Sequence, residues 1–192
     1  MQMRWFKFKG SQTAIELTRP SAGANVYTPV YHGTGSDVIS KICAQGRLTV
    51  HTPFLSLSLS LSLCAKACAH ACLATSLFHP CIPRYNTHTG FDRTFSSTAL
   101  YGTGTYFAKN SKYSAHDVYS VPDASGVKRM IVCRIIVGVP CVGSSGMKQP
   151  SLVGTGLVLA DSMVDSTTSP TIFVLSSGSD DHAYPEYIIE FK

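Results

Sequence analysis

The chain has 192 residues, of which 44% are hydrophobic and 14% charged, a composition that allows one folded domain and excludes collagen, a coiled coil and a fully disordered chain. Its net charge of +5 is not arranged as a basic stripe interleaved with aromatic residues, so we expect no nucleic-acid partner. No apolar run approaches the roughly 20 residues that cross a bilayer, and residues 1–7 do not resemble a secretory signal, so we expect neither membrane insertion nor secretion.

Two elements are predicted at the start of the chain. Residues 1–29 are mixed and weakly patterned, and we assign no element to residues 1–25. Residues 26–31 predict a short apolar strand that ends at His32. Residues 36–44 have apolar side chains at helical spacing, with Ser36 or Asp37 as a candidate cap.

Residues 47–90 differ in composition from the rest of the chain. Leu and Ser alternate without exception from 55 to 63, as in a strand with one apolar face. An Ala-rich run follows, with Cys64, Cys68, Cys72 and, further on, His79. A zinc-dependent interaction module is one interpretation, although three-residue gaps spread the sulfurs along a helix rather than around one ion. Because a repetitive CT tract encodes a strict Ser-Leu repeat, we interpret 47–90 as a translated non-coding or lineage-specific insertion.

The remainder of the chain predicts a strand-rich domain. We expect a helix at 111–118 and strands at 105–108, 128–139, 171–175 and 184–191. The strand at 128–139 is apolar on both faces and should be central. Strands outnumber helices and do not alternate with them, so the predicted fold class is α+β.

Two glycine-bearing motifs are candidates for a binding site. His32-Gly33-Thr34 follows the first strand, and the glycine would let a ligand reach the backbone N–H and C=O and clamp a planar amide. Residues 102–108 read GTGTYFA, but Phe107 stands where a dinucleotide fingerprint needs a small residue, and a strand rather than a helix follows. We therefore predict a tight turn there and no Rossmann site.

A third candidate consists of Tyr106, Ser114 and Tyr119. Two phenol rings and a hydroxyl at the mouth of a strand–helix unit could enclose an aromatic ring and hydrogen-bond its amide. Taken alone, the two tyrosines are better explained as ordinary core or surface residues.

In order along the chain, these motifs, followed by Thr171-Ile172-Phe173-Val174 and Tyr184-Pro185-Glu186-Tyr187, resemble the catalytic domain of the poly(ADP-ribose) polymerase family. The match is best with the mono-ADP-ribosylating type, in the macrodomain-bearing branch. It implies an ADP-ribosyltransferase domain over 26–192, interrupted by the 47–90 insertion, with 1–25 as a poorly matched N-terminal segment. The implied fold is two packed, mostly antiparallel sheets with few helices around an NAD cleft.

The resemblance also implies roles for individual residues. His32 would hydrogen-bond the adenosine ribose, and Gly33 would clamp the nicotinamide carboxamide through its backbone. Ser114 would hydrogen-bond that carboxamide, Tyr106 would pack beside the nicotinamide and Tyr119 would stack on it. The catalytic positions would be His32, Tyr106 and Ile172, and residues 92–99 would cover the donor.

The implied activity is a glycosyltransferase reaction in which NAD is consumed as a substrate, without a metal. Polymerising members have a glutamate at the position of Ile172, and an isoleucine can accept neither a hydrogen bond nor a proton. We therefore expect one ADP-ribose to be transferred to a Glu or Asp side chain of an acceptor protein, with release of nicotinamide. A nuclear or cytoplasmic location fits the family and the seven cysteines.

Two alternatives stay open. The insertion enters beside the segment that would cover the donor, so the chain could be a catalytically inactive binding domain of the same fold. The other alternative is the zinc-dependent module.

Overall fold

The structure, a computed structural model, describes residues 2–39, 50–51, 91, 100–154, 156–176 and 180–192. Its strands are β1 (Val26–Thr34), β2 (Val50–His51), β3 (Thr105–Ala108), β4 (Lys128–Ile136), β5 (Pro140–Val142), β6 (Ser162–Val164), β7 (Ile172–Leu175) and β8 (Ala183–Phe191). Within the described residues these eight strands form one sheet in the order β2-β8-β4-β1-β3-β7-β6-β5. Neighbouring strands are antiparallel, apart from the parallel pairs β2–β8 and β5–β6.

In the described part of the chain, helices are fewer than strands, and only the first is longer than four residues. They are α1 (Gln2–Thr18), α2 (Ser111–Ser114) and a 3-10 helix at Asp180–His182, and residues 36–39 are also helical. The predicted α+β class is confirmed. The resemblance implied two packed sheets. In the structure, hydrogen bonds join the strands of the described residues into one sheet. None of the helices in the described ranges is long and apolar enough to cross a membrane.

Helix α1 is an element that the sequence analysis missed. Phe8 and Ile15, two helical turns apart, are buried on one face because residues at i and i+7 share a helix face. They pack with Ile136 at the end of β4. Trp5 stacks on Phe8 with ring centroids 5.7 Å apart and meets Tyr184 of β8 edge-on at 5.2 Å. The helix therefore covers one end of the β4–β8 pair.

Strand β1 is longer than predicted and continues through the His32-Gly33 motif to Thr34. His32 and Gly33 pair with Ile131 and Met130 of β4. The register shifts between Tyr27 and Val30, next to Pro29, which has no N–H to give to a ladder. The binding motif thus lies within the sheet.

The main core lies on one face of the sheet and uses six strands. Its buried strand residues are Val30, Phe107, Ile131, Cys133, Ile135, Val164, Phe173, Leu175 and Ile188. On the opposite face, Tyr31, Met130 and Val132 pack against Ala115, which directly follows α2. This second contact places the 111–120 segment against β1.

Little of the predicted insertion can be compared with the structure. Val50 and His51 form β2, which pairs with Ile188 and Ile189 of β8. The Leu-Ser repeat, the cysteines at 64, 68 and 72, His79 and the donor-covering segment 92–99 all lie outside the described residues.

Candidate active site

His32 is tied to the next strand through its ring. Its Nδ1 lies 2.8 Å from the backbone oxygen of Tyr106, and because a carbonyl only accepts, Nδ1 carries the proton and donates. The ring packs against Phe91 and Phe107, with centroids 5.1 and 5.6 Å away. Burial lowers the pKa of His32 below 6.5, although the bond to Tyr106 opposes this shift. The ring is therefore neutral at pH 7, and its Nε2 is an acceptor with no partner among the described residues.

Gly33 allows a close approach between β1 and the segment after α2. A Cβ at this position would lie 2.8 Å from Tyr119 Cβ and 2.9 Å from Ser120 Oγ, and it would also collide with the backbone oxygen of Ser114. Real Cβ atoms do not come this close to their neighbours. Glycine is required here because protein atoms already occupy the space that a side chain would need.

Tyr106 holds the glycine turn that precedes β3. Its hydroxyl donates to Gly102 O at 2.6 Å and accepts from Tyr101 N at 3.0 Å. Gly102 has a φ of +103°, and a Cβ there would lie 2.6 Å from Met163 Sδ, so the predicted tight turn is confirmed. Burial raises the pKa of Tyr106, and the phenol stays protonated at neutral pH.

Ser114 is buried at the end of α2, with 4% of its surface exposed. The helix begins after Asn110, whose side chain accepts from Lys112 N at 2.9 Å and so satisfies a free N–H at its start. Ser114 Oγ donates to Tyr31 O at 2.9 Å. Because its one proton is used, this hydroxyl can take a further polar group only as an acceptor, unless the bond to Tyr31 breaks.

Tyr119 is paired with a second tyrosine, Tyr113, that the sequence analysis did not select. The rings stack with centroids 4.9 Å apart and an interplanar angle of 23°, and their hydroxyl oxygens are 2.7 Å apart. The hydrogen bond to Tyr119, together with burial, raises the pKa of Tyr113 to about 12. A separation of six residues is not a helical repeat, so no periodicity could have indicated this pair.

Ile172 is the first residue of β7 and lies opposite Ala108 of β3. It is 6% exposed and belongs to an apolar cluster with Ala108, Met163 and Val174, against which Tyr106 packs. The predicted alkyl side chain thus contributes to a hydrophobic wall beside Tyr106.

Contacts link the selected residues to one another, but they lie on both faces of the sheet. His32 bonds the backbone of Tyr106, and Gly33 contacts both Ser114 and Tyr119. Successive β3 side chains point to opposite faces, and His32 lies against Phe107 whereas Ile172 packs with Tyr106. His32 and Ile172 therefore meet β3 from opposite sides.

The described residues contain no group of three or more His, Cys, Asp or Glu side chains placed to hold a metal ion. The cysteines of the zinc hypothesis lie outside the described residues, so that alternative is not addressed by the geometry.

Sequence comparison finds relatives among the mono-ADP-ribosyltransferases. Protein mono-ADP-ribosyltransferase PARP14 of Homo sapiens is 36% identical over 115 residues, which is 58% of this chain and 6% of that protein. Protein mono-ADP-ribosyltransferase PARP10 of Mus musculus is 42% identical over 106 residues, which is 54% of this chain and 11% of that protein. A probable inactive poly [ADP-ribose] polymerase, SRO1 of Arabidopsis thaliana, is 30% identical over 106 residues, 54% of this chain and 17% of that protein.

The solved structures give the fold. The PARP domain of Arabidopsis RADICAL-INDUCED CELL DEATH1 superposes with a TM-score of 0.55 at 18% identity, over 98% of this chain and 79% of that one. The resemblance to poly(ADP-ribose) polymerase catalytic domains is confirmed. No protein-family model matches the chain. The macrodomain-bearing branch and the roles of the site residues stay predictions.

Asp165 fixes the start of the strand that carries Ile172. Its carboxylate accepts from Ser166 N at 3.0 Å, Thr171 N at 2.9 Å and Ile172 N at 3.1 Å, and also from the Thr171 hydroxyl. Burial alone would raise the pKa of Asp165, but these bonds together lower it below 3.8. Asp165 is thus a structural support of the candidate site.

We expect Asp165→Asn to destabilise the fold by about 1–2 kcal/mol, because an amide loses the charge-assisted bonds. Since the pKa of Asp165 is depressed in the folded state, its contribution is present above the unfolded pKa of 3.8 and is lost as pH falls through the folded value. Urea unfolding of both proteins at pH 7 and in acid measures this. A difference that stays constant into the acid range would contradict the assignment.

Proposed function

We propose that this domain is an NAD-dependent mono-ADP-ribosyltransferase that transfers one ADP-ribose to an acidic side chain of a protein and releases nicotinamide. The observation that carries the proposal is the state of His32. Its Nδ1–H is committed to Tyr106 O at 2.8 Å, which leaves Nε2 of a neutral ring as an acceptor. A ribose hydroxyl is a donor that fits this atom.

The tyrosines suit the nicotinamide end of the substrate. Tyr119 is 39% exposed, so part of its ring is available to a flat heteroaromatic group. Ser114 Oγ would accept an N–H of the carboxamide, since its own proton is given to Tyr31.

NAD supplies the glycosidic carbon–nitrogen bond that breaks. The acceptor carboxylate forms the new bond to the anomeric carbon, and the bond to nicotinamide breaks with its electron pair moving to the leaving ring. The protein's task is to hold the nicotinamide and ribose in the reacting geometry. The acceptor provides its own negatively charged nucleophile, because Ile172 cannot activate a hydroxyl.

Incubation of the purified chain with NAD labelled in the adenosine part, together with acidic acceptor proteins, tests the proposal. The expected result is label bound to protein and free nicotinamide in equal amounts. Hydroxylamine should release the label, because it cleaves ester-linked ADP-ribose. NAD that binds without transfer would contradict the enzymatic proposal, and NAD that does not bind would contradict the site.

The product should carry a single ADP-ribose unit, because the position of Ile172 lacks a carboxylate to activate the next ribose hydroxyl. Ile172→Glu is not expected to create a polymerase alone, since the side chain is 6% exposed among apolar neighbours and a carboxyl group there would favour its neutral form. Gel electrophoresis of the labelled product measures its length. Long chains made by the parent protein would refute this interpretation of position 172.

A catalytically inactive binding domain is the second candidate. The similarity to a relative described as a probable inactive poly [ADP-ribose] polymerase, SRO1 of Arabidopsis thaliana, favours it. Calorimetry with NAD, run beside the transfer assay, separates the two. Binding that is tight and saturable without incorporation of label would support the inactive domain.

A further inference from the structure

The stacked pair of Tyr113 and Tyr119 lies at the surface of the candidate site. The rings are 4.9 Å apart at 23°, and a 2.7 Å contact joins their hydroxyl oxygens. They are 44% and 39% exposed. One face of the Tyr119 ring is therefore covered by Tyr113, and a stacking ligand has only the other face to use.

The backbone around the pair is fixed independently of the rings. Tyr119 N and Ser120 N donate to His116 O at 2.8 and 2.9 Å. Ser120 Oγ lies 2.7 Å from Ser114 O and 2.8 Å from Arg129 O. These bonds close the 114–120 loop against β4 and set the position of the Tyr119 Cα, but they do not set the angle of its ring.

An exposed aromatic side chain without a neighbour samples several rotamers. Among the described residues, Tyr113 is the aromatic neighbour that stacks on Tyr119 and also bonds its hydroxyl. Two contacts, one through the ring face and one at the ring tip, leave little freedom of rotation about either side-chain bond. Stacking alone would permit sliding, and the hydroxyl contact opposes it.

We propose that Tyr113 is a positioning residue that fixes the ring of Tyr119 for stacking on the nicotinamide of NAD. This inference rests on the proposed function, because it assigns Tyr113 a task in binding that same substrate. Tyr113 would act through Tyr119, by removing the entropy that Tyr119 would otherwise lose on binding.

The test measures the Kd of NAD and of free nicotinamide by calorimetry for the parent, Tyr113→Phe, Tyr113→Leu and Tyr113→Ala. Because a stacked aromatic pair is worth about a tenfold change in an equilibrium constant, Tyr113→Ala and Tyr113→Leu should raise both Kd values about tenfold. Tyr113→Phe keeps the ring and loses only the hydroxyl contact, so its effect should be about twofold. Leucine keeps side-chain bulk and guards against a folding failure of the alanine variant.

A double-mutant comparison separates positioning from a general structural effect. In a Tyr119→Ala background, Tyr113→Ala should change Kd no further, because its target is gone. Val118→Ala is the matched control, since Val118 is in the same loop, is 71% exposed and should bind NAD as the parent does. Circular dichroism confirms that each variant is folded.

Each possible result supports or overturns the positioning role of Tyr113. Parent-like Kd values for Tyr113→Ala or Tyr113→Leu, with the parent binding NAD, would overturn the inference and leave the proposed function standing. Equal effects of Tyr113→Ala with and without Tyr119 would also overturn it. A parent that binds neither NAD nor nicotinamide would overturn the proposed function, and the inference with it.

Discussion

Replacing His32 by asparagine is expected to weaken NAD binding about tenfold while the chain stays folded, the effect of losing one hydrogen bond of about 1.4 kcal/mol. An asparagine amide can still donate near the position of Nδ1–H and keep the bond to Tyr106 O, which is 2.8 Å in the parent. It has no atom at the position of Nε2. The variant therefore removes the acceptor that the ribose would use and preserves the contact that links β1 to β3.

The companion variant His32→Ala loses both contacts, and we expect its kcat/KM to fall about 100-fold because substrate positioning is lost as well. Calorimetry gives the Kd, labelled-NAD turnover gives kcat/KM, and a thermal melt reports the fold. Asparagine and alanine variants that bind NAD as tightly as the parent would exclude His32 from the site.

The pH dependence of NAD binding tests the protonation state of His32. Burial lowers the pKa of His32 below 6.5, so affinity should be constant around neutral pH and should fall only below pH 6.5, when protonation turns Nε2 into a donor. Stability should also decline below 6.5, because the unfolded chain then takes up a proton that the folded ring resists. The His32→Asn variant should lack the acid limb in affinity.

Replacing Gly33 by alanine is expected to destabilise the protein by about 1–3 kcal/mol, the usual effect of forcing a methyl group into a packed site. The new Cβ would lie 2.8 Å from Tyr119 Cβ and 2.9 Å from Ser120 Oγ. Relief requires the 114–120 loop to move away from β1, and this would also move Ser114 and Tyr119. NAD affinity should therefore fall together with stability.

Gly10→Ala is the matched control for this substitution. Gly10 lies within α1 and would bring its Cβ within 4 Å of nothing, so alanine there should stabilise the protein by about 0.5–1 kcal/mol. Urea unfolding midpoints, compared at equal slopes, give both values. A Gly33→Ala midpoint equal to or above that of the parent would refute the close packing at Gly33.

The sheet was predictable because its strands carry strong local signals. The bounds of β4 and β8 differ by at most a few residues from the predicted ranges, because β-branched and aromatic residues favour a strand over a helix. Helix α1 was missed because the polar residues Ser11 and Gln12 lie between Phe8 and Ile15 on its buried face. That face is defined by contacts with β4 and β8, which a local pattern does not contain.

Helix α2 ends one turn after it begins, whereas the sequence predicted eight residues from 111 to 118. Its extension is replaced by the turn at His116, whose carbonyl accepts from Tyr119 N and Ser120 N. This turn allows Tyr113 and Tyr119 to stack. The two residues would lie on different faces of a continuous helix. The pair therefore forms only because the helix ends at Ser114 and does not continue to residue 118 as predicted.

Gly33 was selected as a candidate ligand contact, and the structure gives a different reason for a glycine at this position. The sequence indicated a backbone that a ligand can approach closely, and the structure shows Ser114, Tyr119 and Ser120 already in that space. Ser114 was selected as a free hydroxyl, and it is bonded to Tyr31, 83 residues away along the chain. Such partners are set by the pairing of distant segments, which spacing along a sequence does not reveal.

The hydrogen bond from the His32 ring ends on the backbone oxygen of Tyr106 and not on its phenol. Exchange of that phenol for another side chain would leave the acceptor of this hydrogen bond in place. In the proposed function, the contact of His32 with the ribose and the contact of Tyr106 with the nicotinamide can therefore change independently of each other. A phenylalanine at 106 should therefore alter nicotinamide recognition while the ring of His32 keeps its tautomer.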